Sequence, residues 1–110
     1  MRTADPHRRP LLATAGDDAT VRIWDPLTGA ERCTLTGHTG EIKSICTVPR
    51  PDGPTYLASA GTDEAVRIWD PERSKLVMTI PVHSRALALT HVDDHLIIGL
   101  TEGVLALTIP

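Results

Sequence analysis

Aromatic residues are nearly missing from this sequence: it has no phenylalanine, one tyrosine (Tyr56) and two tryptophans (Trp24 and Trp69). In so ring-poor a chain the two indoles are not incidental bulk. Cysteine is scarce too. Cys33 and Cys46 form no C-x-x-C pair and no Cys/His ligand spacing, so no structural zinc site is expected. A disulfide is not expected in a reducing compartment, and both thiols read as small buried apolar side chains. No segment approaches the roughly 18 continuous apolar residues of a membrane span. The first ten residues, MRTADPHRRP, hold four charged residues and two prolines and lack the apolar core of a secretory signal, so a cytoplasmic location is expected. The formal net charge is −3 with both signs scattered, which leaves no basic stripe to neutralise phosphates. Neither nucleic acid nor a membrane surface is an expected partner. No paired-carboxylate site or Gly-rich phosphate loop is present; Gly37-His38-Thr39-Gly40 joins two predicted strands and offers no helix N-terminus to an anion. No cofactor, no metal and no catalytic residue is expected. A helical period is also absent throughout.

What is present is a repeat. Leu11 to Pro26 (LLATAGDDATVRIWDP) and Tyr56 to Pro71 (YLASAGTDEAVRIWDP), offset by 45, are identical at eleven of sixteen positions. A third, worn copy begins at Leu96 (LIIGLTEGVLALTIP), with Glu102 in place of the aspartate and Leu107 in place of the tryptophan. Each unit reads as short strands. LLATA and YLASA are small-residue runs closed by Gly, followed by a tight turn and Val-Arg-Ile-Trp with a two-residue alternation. Val21, Ile23, Val66 and Ile68 point one way; Arg22, Trp24, Arg67 and Trp69 point the other. Asp-Pro then stops the strand, because proline cannot donate to a ladder. Further strands are predicted at Arg32–Thr36, Ile42–Val48, Lys75–Ile80 and Arg85–Val92. The 49–54 stretch (PRPDGP) and Val92-Asp93-Asp94-His95 read as hairpin connections. Strands of four to eight residues at 8–12-residue spacing mean an all-β protein.

Gly37-His38, some thirty residues, then Trp69-Asp70, in a unit of about 45 residues, resembles the signature of the WD40 family. The resemblance implies an all-β, partial WD40-type β-propeller of about two and a half four-stranded antiparallel blades. It divides the chain into 1–30, the end of an incomplete first blade (inner-strand remnant plus two strands); 31–75, a repeat with the complete signature; and 76–110, a degenerate final repeat lacking the outer strand of its blade. It also implies a buried hydrogen-bonded tetrad of His38, Ser59, Asp63 and Trp69. A buried indole N–H needs an acceptor, which Ser59 can supply; the serine can donate to one imidazole nitrogen, and Asp63 can accept from the other. A Ser-His-Asp catalytic reading would need Ser59 to be an exposed nucleophile, and it sits mid-strand beside a tryptophan. The first blade carries a partial tetrad, Thr14, Asp18 and Trp24, without an upstream Gly-His, since His7 lies too close to Thr14. In the third, His83 is followed by Ile98, Glu102 and Leu107. That blade must rest on apolar packing by Leu87, Leu89, Leu96, Ile97, Ile98, Val104, Leu105 and Leu107. His83, His91 and His95 read as surface or loop residues rather than metal ligands.

The function implied by the resemblance is a protein–protein interaction scaffold, not an enzyme, binding other proteins through propeller loops. Loop-proximal Asp17, Glu41, Thr62 and Arg85 are the candidate contacts. The C-terminal end falls at the closing phase of such a ring and the start does not, so the chain is expected to be a truncated part of a larger propeller. Its blade faces would be covered by the remaining blades of that parent or by self-association. Alternatives are a regulatory or sensor propeller module of a multidomain enzyme, or a fragment without independent function.

Overall fold

The twin Val-Arg-Ile-Trp segments form equivalent strands, each paired on both sides within its own sheet. In the computed structural model, residues 11–51 and 53–108 are described. The inner-strand remnant expected in Met1–Pro10, the placement of His7, and the last two residues lie outside the described residues. Ten strands follow in order: β1 (Leu12–Ala15), β2 (Val21–Trp24), β3 (Glu31–Leu35), β4 (Ile42–Val48), β5 (Tyr56–Gly61), β6 (Ala65–Asp70), β7 (Lys75–Pro81), β8 (Ala86–Val92), β9 (His95–Leu100) and β10 (Gly103–Thr108). They make three antiparallel sheets: β1-β2-β3, β4-β5-β6-β7 and β8-β9-β10. The described residues thus form an all-β partial propeller, with one four-stranded blade flanked by two of three strands.

The alternation in the sequence decides which face packs where. Val21, Ile23 and Leu35 of the first sheet meet Ile42, Leu57 and Trp69 of the second in one buried cluster. The opposite face of the second sheet, with Ala58, Ala60, Val66 and Ile68, packs on Leu96 and Ile98 of the third. Ala at positions 58 and 60 keeps β5 thin enough for two sheets to approach, and each inter-sheet layer excludes water from branched side chains. Both Trp strands carry an irregularity that alternation alone does not reveal. The ladder to the outer strand slips between Ile23 and Trp24 and between Ile68 and Trp69, while Leu12↔Trp24 and Leu57↔Trp69 stay in register on the inner side. Such bulges add twist, which bends the outer strand.

The turns repeat as closely as the strands. Ala19 and Glu64, equivalent residues of the β1–β2 and β5–β6 turns, both sit at positive φ (67° and 63°). In the Asp-Pro turns, Asp25 accepts the Leu27 N–H (2.9 Å), and the buried Asp70 accepts those of Glu72 (3.1 Å) and Arg73 (3.2 Å). The aspartate of each Trp-Asp pair therefore caps the reversal that the proline only permits.

Two expectations need correction. Cys33 and Cys46 are half-buried free thiols at the margins of the two clusters rather than fully buried. In the third sheet Leu96 and Ile98 are buried and Leu89, Leu105 and Leu107 pack against them, but Leu87 (41% exposed) and Val104 (75%) face outward. Alternation puts half of any strand on the face that no described sheet covers.

Candidate functional site

The polar centre of the second sheet begins with backbone geometry. Gly37 brings the loop before β4 down onto β6: a Cβ there would stand 3.1 Å from Cη2 of Trp69 and 3.3 Å from Nε of Arg67. Gly61, at the end of β5, leaves the room below, since its Cβ would lie 2.6 Å from Asp63 Oδ1 and 2.9 Å from His38 Nδ1. Into that space the structure brings His38, Ser59, Asp63 and Trp69 together. Trp69 Nε1–H donates to Ser59 Oγ at 2.8 Å, and Ser59 Oγ lies 2.6 Å from His38 Nε2. The Asp63 carboxylate can only accept, so the neutral ring carries its hydrogen on Nδ1 and its Nε2 accepts the Ser59 O–H. Nδ1 donates to Asp63, whose two oxygens are each 3.1 Å away.

Arg67 is a fifth member that the sequence reading left without a role. Its Nη1 donates to Asp63 Oδ2 at 2.8 Å. It also lies 2.8 Å from His38 Nδ1, but two donors do not bond, so the carboxylate is its acceptor. The buried Arg67 Nε has no hydrogen-bond partner among the described residues. The signal was legible: Asp-x-x-x-Arg occurs in both copies, and Arg22 pairs with Asp18 at 2.9 Å as Arg67 does with Asp63.

The electrostatics follow from this wiring. Burial holds the His38 imidazole below its usual value, outweighing the opposite pull of Asp63, with Arg67 adding to the depression. Burial alone would raise the Asp63 carboxyl. The Thr39 N–H (3.0 Å), Arg67 and His38 together overcome it and hold the group below the usual carboxylate range. Asp63–His38–Ser59 has the connectivity of a catalytic triad, but Ser59 is 0% exposed and its oxygen is occupied by an indole N–H.

The first sheet holds the same parts without the histidine. Trp24 Nε1–H donates to Thr14 Oγ1 at 2.8 Å, and Arg22 bridges Asp18 (2.9 Å) and Glu31 (3.0 Å). The hydrogen bonds of Arg22 and Thr20 hold the exposed Asp18 carboxyl down at about 2. The third sheet has none of it. Thr62 N–H bonds Glu41 O (2.9 Å) as Thr101 N–H bonds Arg85 O (3.1 Å), which fixes the equivalence of the loops. On that register Val82, not His83, occupies the place of His38; Val82 and Ile98 are buried in one cluster, and His83 is exposed at φ 58°. The β9–β10 turn is one residue shorter, so Glu102 is exposed and no carboxylate stands where Asp63 does. Ser84 and Thr101 hydroxyls pair at 2.7 Å instead. His91 and His95 flank the Asp93-Asp94 turn, and among the described residues no group of three His, Cys, Asp or Glu side chains is placed to hold a metal.

The four loop candidates come from different sheets and reach one rim. Gly16 O accepts the Ile42 N–H (3.1 Å), which ties the turn containing Asp17 to the start of β4. The Glu41 carboxyl is held below its usual value chiefly by the Lys43 ammonium 3.0 Å away, with a weaker pull from the Arg85 charge. Thr62 lies against Gly40, where a Cβ would stand 2.5 Å from its hydroxyl. Asp17, Glu41 and Arg85 are exposed, and Thr62 is half-buried.

Comparison with known proteins locates this arrangement. A family model described as "WD domain, G-beta repeat" matches residues 5–25 and 29–70, more than half of the chain. Topless-related protein 1 of Arabidopsis thaliana is 42% identical over 41 residues, which are 37% of this chain and 4% of that protein. Coronin-7 of Mus musculus is 51% identical over 39 residues (36% and 4%), and pre-mRNA-splicing factor PRP46 of Eremothecium gossypii 40% over 42 residues (38% and 10%). The matches thus span one repeat's length and a small part of much longer relatives. Among solved structures, the computationally designed Ika4 protein superposes with a TM-score of 0.79 over 94% of this chain and 62% of its own, at 24% identity.

Proposed function

This chain belongs to the WD40 repeat family, and from that premise we propose that it is a non-catalytic protein–protein interaction scaffold whose contact surface is the rim carrying Asp17, Glu41, Thr62 and Arg85. The observation that supports the reading is convergence along one edge: Gly16 O accepts the Ile42 N–H between the first and second sheets, and the Arg85 charge of the third acts on Glu41 of the second. A surface assembled from several loops on a rigid sheet frame can vary its contacts without touching the core. Acidic Asp17 and Glu41 beside basic Lys43 and Arg85 favour a partner segment of mixed charge, matched by register rather than by bulk attraction. The cytoplasmic placement and the origin as part of a larger propeller belong to this proposal. So does cover for the outer faces of the first and third sheets, where Leu12, Leu87 and Val104 are exposed.

The test is affinity capture with the whole chain against a triple variant, Asp17→Lys, Glu41→Lys and Arg85→Glu, quantified by mass spectrometry. Surface charge changes of this kind shift stability by about 0.5 kcal/mol or less each. The expected result is loss of the captured proteins with an unchanged melting profile; an unchanged set of captured proteins would refute the rim.

A further inference from the structure

The layer between the second and third sheets is built from apolar side chains. Ala58, Ala60, Val66 and Ile68 meet Leu96 and Ile98 there. Apolar burial is non-directional, so by itself it leaves one sheet free to slide along the other. Ser44 breaks the pattern. It pairs with Ala60 in the β4–β5 ladder and so shares the face that is turned to the third sheet. Next to Ala58 and Ala60, an alanine at position 44 would fill that space nearly as well. The hydroxyl is therefore not there for volume.

Its oxygen has a partner on the next sheet. The Leu89 N–H of β8 donates to Ser44 Oγ at 3.1 Å. Among the described residues β4 and β8 are edge strands that do not pair with each other, so this bond crosses from one sheet to the next. It also satisfies an edge amide, a group that otherwise needs water. The two strands are equivalent. Both ladders slip at the same place, between Ile42 and Ser44 and between Ala86 and Ala88. On that register Ser44 corresponds to Ala88, Lys43 to Leu87 and Glu41 to Arg85. Glu41 and Lys43 stand just ahead of Ser44, and Arg85 stands just ahead of the strand that carries Leu89. The bond thus lies directly behind the place where the Arg85 charge acts on Glu41.

We infer that Ser44 is a positioning residue for the rim: its hydroxyl fixes β8 against β4 and so sets Arg85 of the third sheet at its place beside Glu41 and Lys43 of the second. A directional bond supplies what the apolar layer cannot, a single offset of one sheet along the other. The spacing of acidic and basic groups on the rim follows from that offset, and a partner of mixed charge is sensitive to spacing. This role rests on the rim reading for its consequence in binding, but not for its geometry.

The experiment compares three variants of the whole chain by nuclear magnetic resonance: Ser44→Ala, Ser44→Val and Ser44→Thr. Valine and threonine have one shape and differ in the hydroxyl, which separates the bond from packing. Exchange of the Leu89 amide is expected to quicken about tenfold in the alanine and valine variants and to stay at the parent rate in Ser44→Thr. The second readout is electrostatic. Arg85→Ala is expected to raise the titration point of the Glu41 carboxyl in the parent and in Ser44→Thr, because a cation is withdrawn, and to raise it less in Ser44→Val. Leu89 exchange unchanged in both hydroxyl-free variants, or a Glu41 response to Arg85→Ala that is equal in all of them, would overturn the inference. Both readouts need no partner, so they decide the role of Ser44 even if the triple rim variant keeps its captured proteins and the rim reading falls.

Discussion

The second and third sheets solve one packing problem in two ways. Where the loop meets the inner strands, the second uses His38, Ser59, Asp63, Arg67 and Trp69, all joined by hydrogen bonds; the third uses buried Val82 and Ile98, with Leu107 packed against their cluster. The apolar version needs no partner geometry, and it tolerates the shorter β9–β10 turn. The polar version fixes one loop on one sheet, because each buried donor demands its acceptor. The first sheet stands between them, with the same Thr-Trp and Asp-Arg pairs in the open and no histidine to join them. A shared fold thus does not require the tetrad; what the tetrad adds is a defined path for the Gly37–Gly40 loop.

The largest expected contrast lies between the two tryptophans. Trp69 is 2% exposed and central to a cluster, so Trp69→Ala is expected to cost about 3–5 kcal/mol in urea denaturation. Half-buried Trp24 faces no described sheet, and Trp24→Ala is expected to cost about 1 kcal/mol. Equal losses would break the comparison. Next come the hydroxyls. Ser59→Ala strands both the Trp69 N–H and His38 Nε2 in the interior, a loss of about 2 kcal/mol. Thr14→Ala leaves an indole that water can reach, and about 0.5 kcal/mol or less is expected.

Acid sharpens the difference further. The folded state holds His38 below its unfolded value of about 6.5, so its contribution is intact above that pH and is lost as pH falls towards the depressed folded value. Asp63, also depressed, adds its loss as pH falls below about 4. The urea midpoint is therefore expected to drop between pH 7 and pH 5, and His38→Ala is expected to flatten that slope. A comparably small effect concerns the turns. Glu64 carries a side chain at φ 63°, a left-handed conformation that costs about 1–2 kcal/mol. Glycine removes that cost but adds unfolded-state entropy, so Glu64→Gly is expected to stabilise by about 0.5 kcal/mol in the same assay.

Much of this was legible in the residues. Two-residue alternation in Val-Arg-Ile-Trp places Val66 and Ile68 on one face and Trp69 on the other, and the offset of 45 makes the strands equivalent. The tetrad came from the family resemblance and could be argued from donors and acceptors. Arg67 was missed because an arginine in an alternating strand reads as solvent-facing; only the repeated Asp-x-x-x-Arg spacing marks it. Val82 rather than His83 takes the place of His38, a one-residue difference that the strand register shows (Ile42↔Gly61 against Ala86↔Leu100) and the residue type does not. The bulges at Ile-Trp left no trace, since a slipped ladder on one side does not disturb the pattern of side chains.

A buried serine–histidine–aspartate chain, capped by an indole and an arginine, ties the loop to the second sheet. The most direct measurement is the long-range proton–nitrogen spectrum of the His38 ring between pH 7 and pH 5. A single tautomer with the proton on Nδ1, unprotonated at Nε2 and resisting titration at the usual imidazole pH, is the predicted result. A ring that is a mixture of tautomers, or that takes up its proton near pH 6.5 like a solvated histidine, would contradict it.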